Sequence, residues 1–354
     1  MATSHVVGLD IGTTFVRGAE LEFGPGGPSS STPAKLVRYG EIQLPLGAVR
    51  DGEVSEPGIV SGALRQLWQQ AKFSTKYVAI GVGNQRVVVR ELDLPWMPMA
   101  QIRASLPFQV KELLPMSTDE ALLDYYPTDE HESDTGRTFR GMLVAAQRDT
   151  VNANVLAVEG AGLQAMMVDL NGFALLRSVI RGELAQQTVG LVDVGASITT
   201  IVVVDHGVPR LVRVLPLGGM NVTTSVASAL GIAAAEAEAV KRQIGFGRAV
   251  GPEHTAAAEA INVVTQTLIE SIRNTFVYYS GNNPGAALDL AVLTGGGAHL
   301  PGFGQYLSSA SRQPVALGDP LAGLRTAKSF DRASLVGSES LVALSVGLAF
   351  GVAA

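Results

Sequence analysis

The chain has 354 residues, too many for one typical core, which predicts two domains with subdomains. Hydrophobic residues make up 47% and charged residues 16%, the balance of an ordered globular protein, and a net charge of −6 without a long basic run excludes a nucleic-acid footprint. The absence of cysteine excludes disulfides, thiolate zinc sites and thiol catalysis, and the five histidines (His5, His131, His206, His254, His299) lack metal-ligand spacing.

No basic segment precedes the first apolar run, so no signal peptide is expected. Residues 6–9 and 15–21 read as strands, residues 24–33 as a Gly/Pro/Ser-rich hairpin loop, and residues 36–46 as another strand. Residues 59–72 have helical spacing (Ile59, Leu64, Leu67, Trp68, Ala71), and residues 78–82 form a short buried strand.

The texture changes at Arg86. Residues 87–94 alternate as a strand ending at Pro95, and residues 98–114 read as a helix that Pro107 must kink or restart. Residues 119–126 and 137–146 read as strands around an acidic hairpin at 128–136. A helix over 150–162, ended by Gly160 and Gly162, and a strand over 164–169 follow. The order β-α-β-β-α-β is that of a ferredoxin-like unit, so residues 86–168 are expected to be an inserted subdomain.

Beyond it, helices are expected over 173–185, 225–230, 233–245 and 254–281, the last with Ile261, Val264, Leu268, Ile272 and Phe276 facing a core. Residues 288–294 read as a buried strand running into Gly295-Gly296-Gly297, and residues 341–350 as a closing helix. The apolar stretch 341–354 is interrupted by Ser345, Gly347 and Gly351 and falls short of the ~20 residues that span a bilayer.

One motif occurs twice. Val7-Gly8-Leu9-Asp10-Ile11-Gly12-Thr13-Thr14 and Gly190-Leu191-Val192-Asp193-Val194-Gly195-Ala196-Ser197 are each an apolar run, an Asp-x-Gly turn with a hydroxyl, then another apolar run (15–21 and 198–204). Such hairpin turns suit phosphate: glycine admits close backbone approach, N–H groups and hydroxyls donate, and the acid can hold a hydrated cation. A lone Asp-x-Gly is usually an ordinary turn. The second copy and the later triple glycine favour two lobes facing one phosphate site.

These elements resemble the actin-like ATPases, which include actin, sugar kinases, heat-shock chaperones and the division protein FtsA. The two turns resemble its phosphate motifs, Leu293-Thr294-Gly295-Gly296-Gly297 its adenosine motif, and residues 169–179 and 340–351 its connecting helices. Within that superfamily the chain is most similar to the PilM family, the cytoplasmic actin-like component of type IV pilus machinery. Phe108-Gln109-Val110-Lys111-Glu112-Leu113-Leu114-Pro115, Val168-Asp169-Leu170, Phe173-Ala174-Leu175-Leu176-Arg177, Ala237-Glu238-Ala239-Val240-Lys241-Arg242 and Gly347-Leu348-Ala349 carry that likeness.

The resemblance implies an α/β actin-like ATPase fold of two lobes, each with a central mixed sheet and flanking helices, plus an inserted small α+β subdomain. The first lobe would take residues 1–85, continued by 169–188 and 333–354; the insertion 86–168; and the second lobe 189–332, with a helical subdomain at about 221–281. It also implies ATP with Mg²⁺. Gly12, Thr13, Thr14, Gly195, Ala196 and Ser197 would wrap the phosphates, and Asp10 and Asp193 would hold the Mg²⁺ through water. Glu238 and Lys241, on one helix face, would meet ribose and adenine, and Gly295, Gly296 and Gly297 would lie against adenine and the α-phosphate. As a pair on a helix, Glu238 and Lys241 also fit a solvated surface ion pair.

Where many relatives begin the first connecting helix with Glu-Pro, this chain has Asn171-Gly172. Asn171 can orient a water but cannot act as a base, so slow or negligible hydrolysis is expected. The implied protein is a scaffold at the inner face of the cytoplasmic membrane, binding the N-terminal cytoplasmic peptide of a PilN-type membrane protein and working with other pilus components. Leu94, Leu113 and Leu114 are candidate groove residues.

An FtsA-like division protein that polymerises at the membrane is the main rival; the chain shows no basic amphipathic helix after residue 351. A small-molecule kinase would need a poised carboxylate that is not evident, and a relative without nucleotide binding would not keep both acids and the glycines. Arg17 fits either a phosphate contact or a sheet-face salt bridge, and Lys111 and Glu112 read as surface charges. Met97, Met99, Met166 and Met167 read as core fillers, and His206 and His299 as loop residues without assigned chemistry.

Overall fold

The computed structural model describes residues 4–25, 27, 32–133 and 136–352. The loop expected at 24–33 and the tip of the 128–136 hairpin fall largely or partly outside these residues. The chain opens with strands β1 (Ser4–Ile11), β2 (Phe15–Phe23) and β3 (Lys35–Gln43), a small hairpin β4 (Val49–Arg50) and β5 (Glu53–Val54), helix α1 (Pro57–Ala71) and strand β6 (Tyr77–Val82). Pro57 suits the first turn of α1, where no N–H partner is needed, and Lys72 closes it in the left-handed conformation (φ 53°).

Next come β7 (Val87–Pro95), α2 (Met99–Gln109), β8 (Ala121–Ser133), β9 (Gly136–Gln147), α3 (Arg148–Gly160) and β10 (Gln164–Leu170). Pro107 sits in the last turn of α2 and the helix stops two residues later instead of restarting. The expected ferredoxin-like unit requires correction. Its sheet has three antiparallel strands in the order β7-β9-β8, while β10 pairs in parallel with β6 of the first sheet. Helix α3 packs on α1, with Ala157 and Val158 in the core around Leu64 and Leu67.

Helix α4 (Asn171–Val179) follows, and the rest of the helix expected to 185 is a separate 3₁₀ turn, Gly182–Gln186, after Gly182 takes φ 56°. The second half contains β11 (Thr188–Val194), β12 (Thr199–Asp205), β13 (Val208–Leu215), α5 (Gly219–Leu230), α6 (Ala234–Ile244), α7 (Thr255–Asn282), β14 (Leu290–Thr294), α8 (Phe303–Ser311), β15 (Val315–Leu317), β16 (Arg325–Thr326) and α9 (Ala343–Gly351).

The two main sheets repeat one design. The first has the order β10-β6-β1-β2-β3-β16, the second β15-β14-β11-β12-β13. In each, an antiparallel meander (β1-β2-β3; β11-β12-β13) meets a parallel neighbour on its first strand (β6; β14). Alternation along β1 sends Val7 and Leu9 toward α1, while Gly8 faces α9 so closely that a Cβ there would lie 1.9 Å from the Ser345 carbonyl oxygen. Helix α9 thus packs against the first sheet, through Val346 and Ala349 beside Val6, Ala19 and Leu21.

Helix α4 packs its apolar face (Ala174, Leu175, Val179) on the second sheet at Val202, Val204 and Val212, and it also meets α9, where a Cβ at Gly347 would lie 1.9 Å from the Ala174 carbonyl. One core therefore runs through both halves. It contains Ala79 and Val82 of the first sheet, Val87 and Met142 of the small sheet, and Val189, Leu191 and Val292 of the second. The small sheet touches α4 directly: the rings of Tyr126 and Phe173 lie 5.0 Å apart. Among the described residues no helix is long and apolar enough to cross a membrane.

Two further expectations need revision. Leu94 is 3% exposed in the small subdomain's own core with Ile102, Leu106 and Leu143, so it lines no open groove; Leu114 packs against that core, and Leu113 is exposed. Met166 stands exposed on β10, whereas Met97, Met99 and Met167 pack against cores as expected.

Candidate functional site

A cleft of about 850 Å³ lies between the two main sheets. Every residue expected from the sequence to hold a nucleotide lines it: Asp10, Gly12, Thr13, Thr14, Asp193, Gly195, Ala196, Ser197, Glu238, Lys241, Gly295, Gly296 and Gly297; so does Asn171, expected to orient a water.

The two turns have the same internal construction. The Gly12 N–H donates to the Phe15 carbonyl at 3.0 Å, and the Gly195 N–H donates to the Ile198 carbonyl at 2.9 Å. A Cβ at Gly195 would lie 2.7 Å from that same carbonyl oxygen, so the turn requires glycine. The turns also touch: Ser197 Oγ donates to Thr13 Oγ1 at 2.7 Å.

Strand register places an acid at the same point of each hairpin, Asp10 opposite Arg17 and Asp193 opposite Thr200. Burial pushes the Asp10 carboxyl up to about 6; Arg17, 3.8 Å away, opposes the rise and the nearby Asp193 charge adds to it. Asp193 is also raised by burial, against a hydrogen bond from Thr294 Oγ1 at 2.8 Å and the field of Arg17. Arg17 is shared with Glu41 at 3.0 Å, and Glu41 in turn accepts from the Tyr39 hydroxyl at 2.8 Å. Of the two roles open to Arg17, the salt bridge is present.

Two carboxylates raised by desolvation, Asp10 further by the charge of Asp193, suit a cation, which would relieve both effects. Among the described residues no three acids or histidines cluster into an all-protein metal cage, so these two acids fit an ion that keeps most of its water.

The far wall is built from α5, α6 and the glycine turn after β14. Lys241, 7% exposed, directs its ammonium to Glu238 at 2.6 Å, Thr223 Oγ1 at 2.9 Å and the Gly219 carbonyl at 3.1 Å. Those three acceptors use all of its donors. Burial lowers the Lys241 ammonium while the Glu238 carboxylate opposes it; Glu238, raised by burial, is held lower overall by Lys241, Thr223 and Arg242. The pair is a fixed piece of wall, not a loose surface ion pair.

Gly295 takes φ 80°, and a Cβ there would lie 2.5 Å from the Val194 carbonyl oxygen, which holds the glycine turn against the second Asp-x-Gly turn. His299 is not idle either: its Nε2 lies 2.8 Å from Ser340 Oγ, at the approach to α9.

Several lining residues were missed from the sequence. Gly218 and Gly219 follow β13 and close on the second turn, where the Gly219 N–H donates to the Gly195 carbonyl at 2.9 Å and the Met220 N–H to the Ala196 carbonyl at 2.7 Å. A glycine pair at a strand end was the available signal, the same one that marked 295–297. Asn154, Gly81 and Gly83, beside Asn171, carried no motif.

Comparison with known proteins agrees with this architecture. A family model described as "Type IV pilus assembly protein PilM" matches residues 8–352. The solved "PilM-PilN type IV pilus biogenesis complex" superposes with a TM-score of 0.85 at 24% identity, covering 99% of this chain and 98% of that one. MreB 5 of Spiroplasma citri bound to AMPPNP superposes at 0.54 with 13% identity over 98% and 95% of the two chains, a likeness of fold. Cell division protein FtsA of Escherichia coli K12 is 27% identical over 203 residues, 51% of this chain and 48% of that protein. FtsA of Bacillus subtilis is 31% identical over 105 residues, 30% and 24% of the two. The chain thus spans about half or less of the length of these FtsA relatives. The fold is that of the actin-like ATPases, as expected from the paired turns.

Proposed function

The chain belongs to the PilM family of type IV pilus assembly proteins, and from that premise we propose that it is an ATP-binding scaffold of the pilus assembly machinery with slow or negligible hydrolysis. The observation that carries this reading is the pairing of Asp10 with Asp193 beneath two glycine turns whose tips meet at Thr13 and Ser197. Gly12 to Thr14 and Gly195 to Ser197 would hold the phosphates with N–H and hydroxyl donors, and Asp10 and Asp193 would hold Mg²⁺ through its water. Held by these two acids, Mg²⁺ would supply the positive charge that offsets the repulsion between them and the phosphates.

On the other side, the 238/241 wall and Gly295 to Gly297 border the space for ribose and base. Asn171, at the first position of α4, takes the place in which an acid would assist hydrolysis, and an amide cannot accept the proton. Closure of the lobes on a nucleotide would bear on α4, and through the Phe173–Tyr126 contact on the small subdomain.

The partner in this reading is a PilN-type membrane protein, engaged through its N-terminal cytoplasmic peptide, which would place the chain at the inner face of the cytoplasmic membrane. Family membership and the likeness to a solved PilM-PilN complex support that partner. The second reading, an FtsA-like protein polymerising at the membrane, rests on the partial FtsA matches.

The test is equilibrium binding of a fluorescent ATP analogue with Mg²⁺ to wild type and Asp193→Ala, in the micromolar range. Wild-type binding lost in the variant is expected; absence of wild-type binding refutes the nucleotide reading. Turnover above about one per second, well within the enzyme range, would contradict slow hydrolysis. Retention on an immobilised PilN-type peptide but not on lipid vesicles separates the pilus reading from the division reading.

A further inference from the structure

At the end of β6, the strand that pairs with β1 up to Leu9, just before Asp10, are two amide oxygens without donors. Asn171 Oδ1 and Asn154 Oδ1 are both buried and unpaired, and both residues line the cleft. Asn154, on α3, is only 4% exposed. Its Nδ2 donates to the Gly81 carbonyl at 3.4 Å, which fixes the amide so that Oδ1 is the free end. Asn171 lies in a notch made by two glycines: a Cβ at Gly81 would fall 2.0 Å from its Oδ1, and one at Gly83 would fall 2.7 Å from its Nδ2. Both asparagines therefore flank the end of β6, one at the Gly81 carbonyl and one against its Cα.

An unmet acceptor in so buried a position requires a donor, and two acceptors around one residue match a molecule with two hydrogens to give. We propose that Asn154 and Asn171 together seat one water, accepting both of its hydrogens and leaving its lone pairs turned into the cleft. Given the nucleotide reading above, on which this part rests, that water is the one nearest the terminal phosphate. Asn154 is then a positioning residue. Each amide oxygen can hold a hydrogen of the water, and neither can remove it, because an amide is far too weak a base. The seat aligns the nucleophile and leaves it unactivated, which accounts for a phosphate site built for holding.

A carboxylate in the seat should supply the base that is missing. With Asp at 154 or at 171, the side chain takes one water proton as the water oxygen bonds to the terminal phosphorus, and the bridging oxygen leaves with the diphosphate. Two measurements test it. A high-resolution crystal structure of the ligand-free wild type must show a water within hydrogen-bond distance of both Oδ1 atoms. Single-turnover phosphate release with Mg·ATP must rise at least tenfold in Asn154→Asp and in Asn171→Asp. That gain must grow with pH as the new carboxyl ionises, while affinity for the fluorescent analogue stays within a few fold of wild type.

Since a buried carboxylate can unfold the protein, Asn154→Ala serves as the second variant. Its ligand-free crystal structure must lack the water. No bridging water in wild type, a water that persists in Asn154→Ala, or an Asn154→Asp that binds nucleotide and releases phosphate at the wild-type rate overturns the proposal. If wild type binds no nucleotide, the parent reading falls, and the crystallographic result alone decides the seat.

Discussion

Ser197 Oγ donates a hydrogen bond to Thr13 Oγ1 at 2.7 Å, joining the tips of two hairpins that lie 184 residues apart in the chain. Each hairpin belongs to a different sheet, so this contact ties the two halves at the cleft, in addition to the packing of α4 on α9. It is also made by the groups that the phosphate reading requires as donors. Phosphate binding and closure at the tips therefore use the same two hydroxyls.

That shared use can be measured in ligand-free protein. Thr13→Ala and Ser197→Ala should each destabilise by about 1 kcal/mol, the usual net value of one hydrogen bond, with the double variant costing no more than either single one. Chemical denaturation of the four proteins gives the coupling. Fully additive losses would show that the contact does not form in solution.

The buried acids give a pH dependence of defined sign. Asp10 is raised to about 6 in the folded protein, whereas an unfolded aspartate titrates near 3.8. Between those values the folded state binds more protons, so Asp10 contributes stability at low pH that is lost as pH rises from about 4 to about 6. Asp10→Asn should remove that slope and raise the melting temperature of the ligand-free protein at pH 7, while weakening Mg·ATP binding. A steeper decline in the variant would contradict the burial argument.

The 238/241 wall separates a buried ion from an exposed one. Lys241→Met removes three hydrogen bonds at once and should cost about 1–3 kcal/mol, since Glu238 and Thr223 lose their charged donor. Arg242 also pairs with Glu238, at 2.7 Å, but its side chain is 75% exposed, so Arg242→Ala should change stability by less than about 1 kcal/mol. Thermal unfolding of both variants at one pH distinguishes them. Equal losses would place the pair outside the wall.

Glycines divide into those that admit a neighbour and those that do not. At Gly347 a Cβ would lie 1.9 Å from the Ala174 carbonyl oxygen, where neither backbone can yield. Gly347→Ala should therefore cost about 3 kcal/mol or more through overpacking. Gly62, inside α1, has open space within 4 Å of where a Cβ would stand, and Gly62→Ala should stabilise by about 0.5–1 kcal/mol through reduced chain entropy. Soluble yield and denaturation midpoints check both. A tolerated Ala at 347 would mean that α4 and α9 pack less tightly than described.

Much of this site could be read from residue order because its chemistry is local. An Asp-x-Gly turn carries its own hydrogen bond and its own glycine requirement, and the second copy has the same apolar flanks. What escaped reading was decided by distant partners. β10 reads as a strand, but whether it completes the small sheet or joins β6 depends on packing far along the chain. β13 contains Pro209, which argues against a strand; it is tolerated because β13 is an edge, with a register shift beside it. Glu238 and Lys241 announced their spacing, yet Thr223, which fixes both, comes from another helix. Asn154 had no motif at all, and only the folded position of α3 beside Gly81 gives it a role.

The contact of Gly8 with Ser345 has a consequence for how the protein is made. β1 leaves the ribosome long before the helix that covers one of its faces, with both other sheets synthesised in between. Until α9 arrives, Val6, Ala19 and Leu21 have no lid, and the first sheet must wait open-faced. Domain-by-domain folding during translation is closed to its first half, and a nascent chain stalled before residue 343 is a natural client for a holding chaperone.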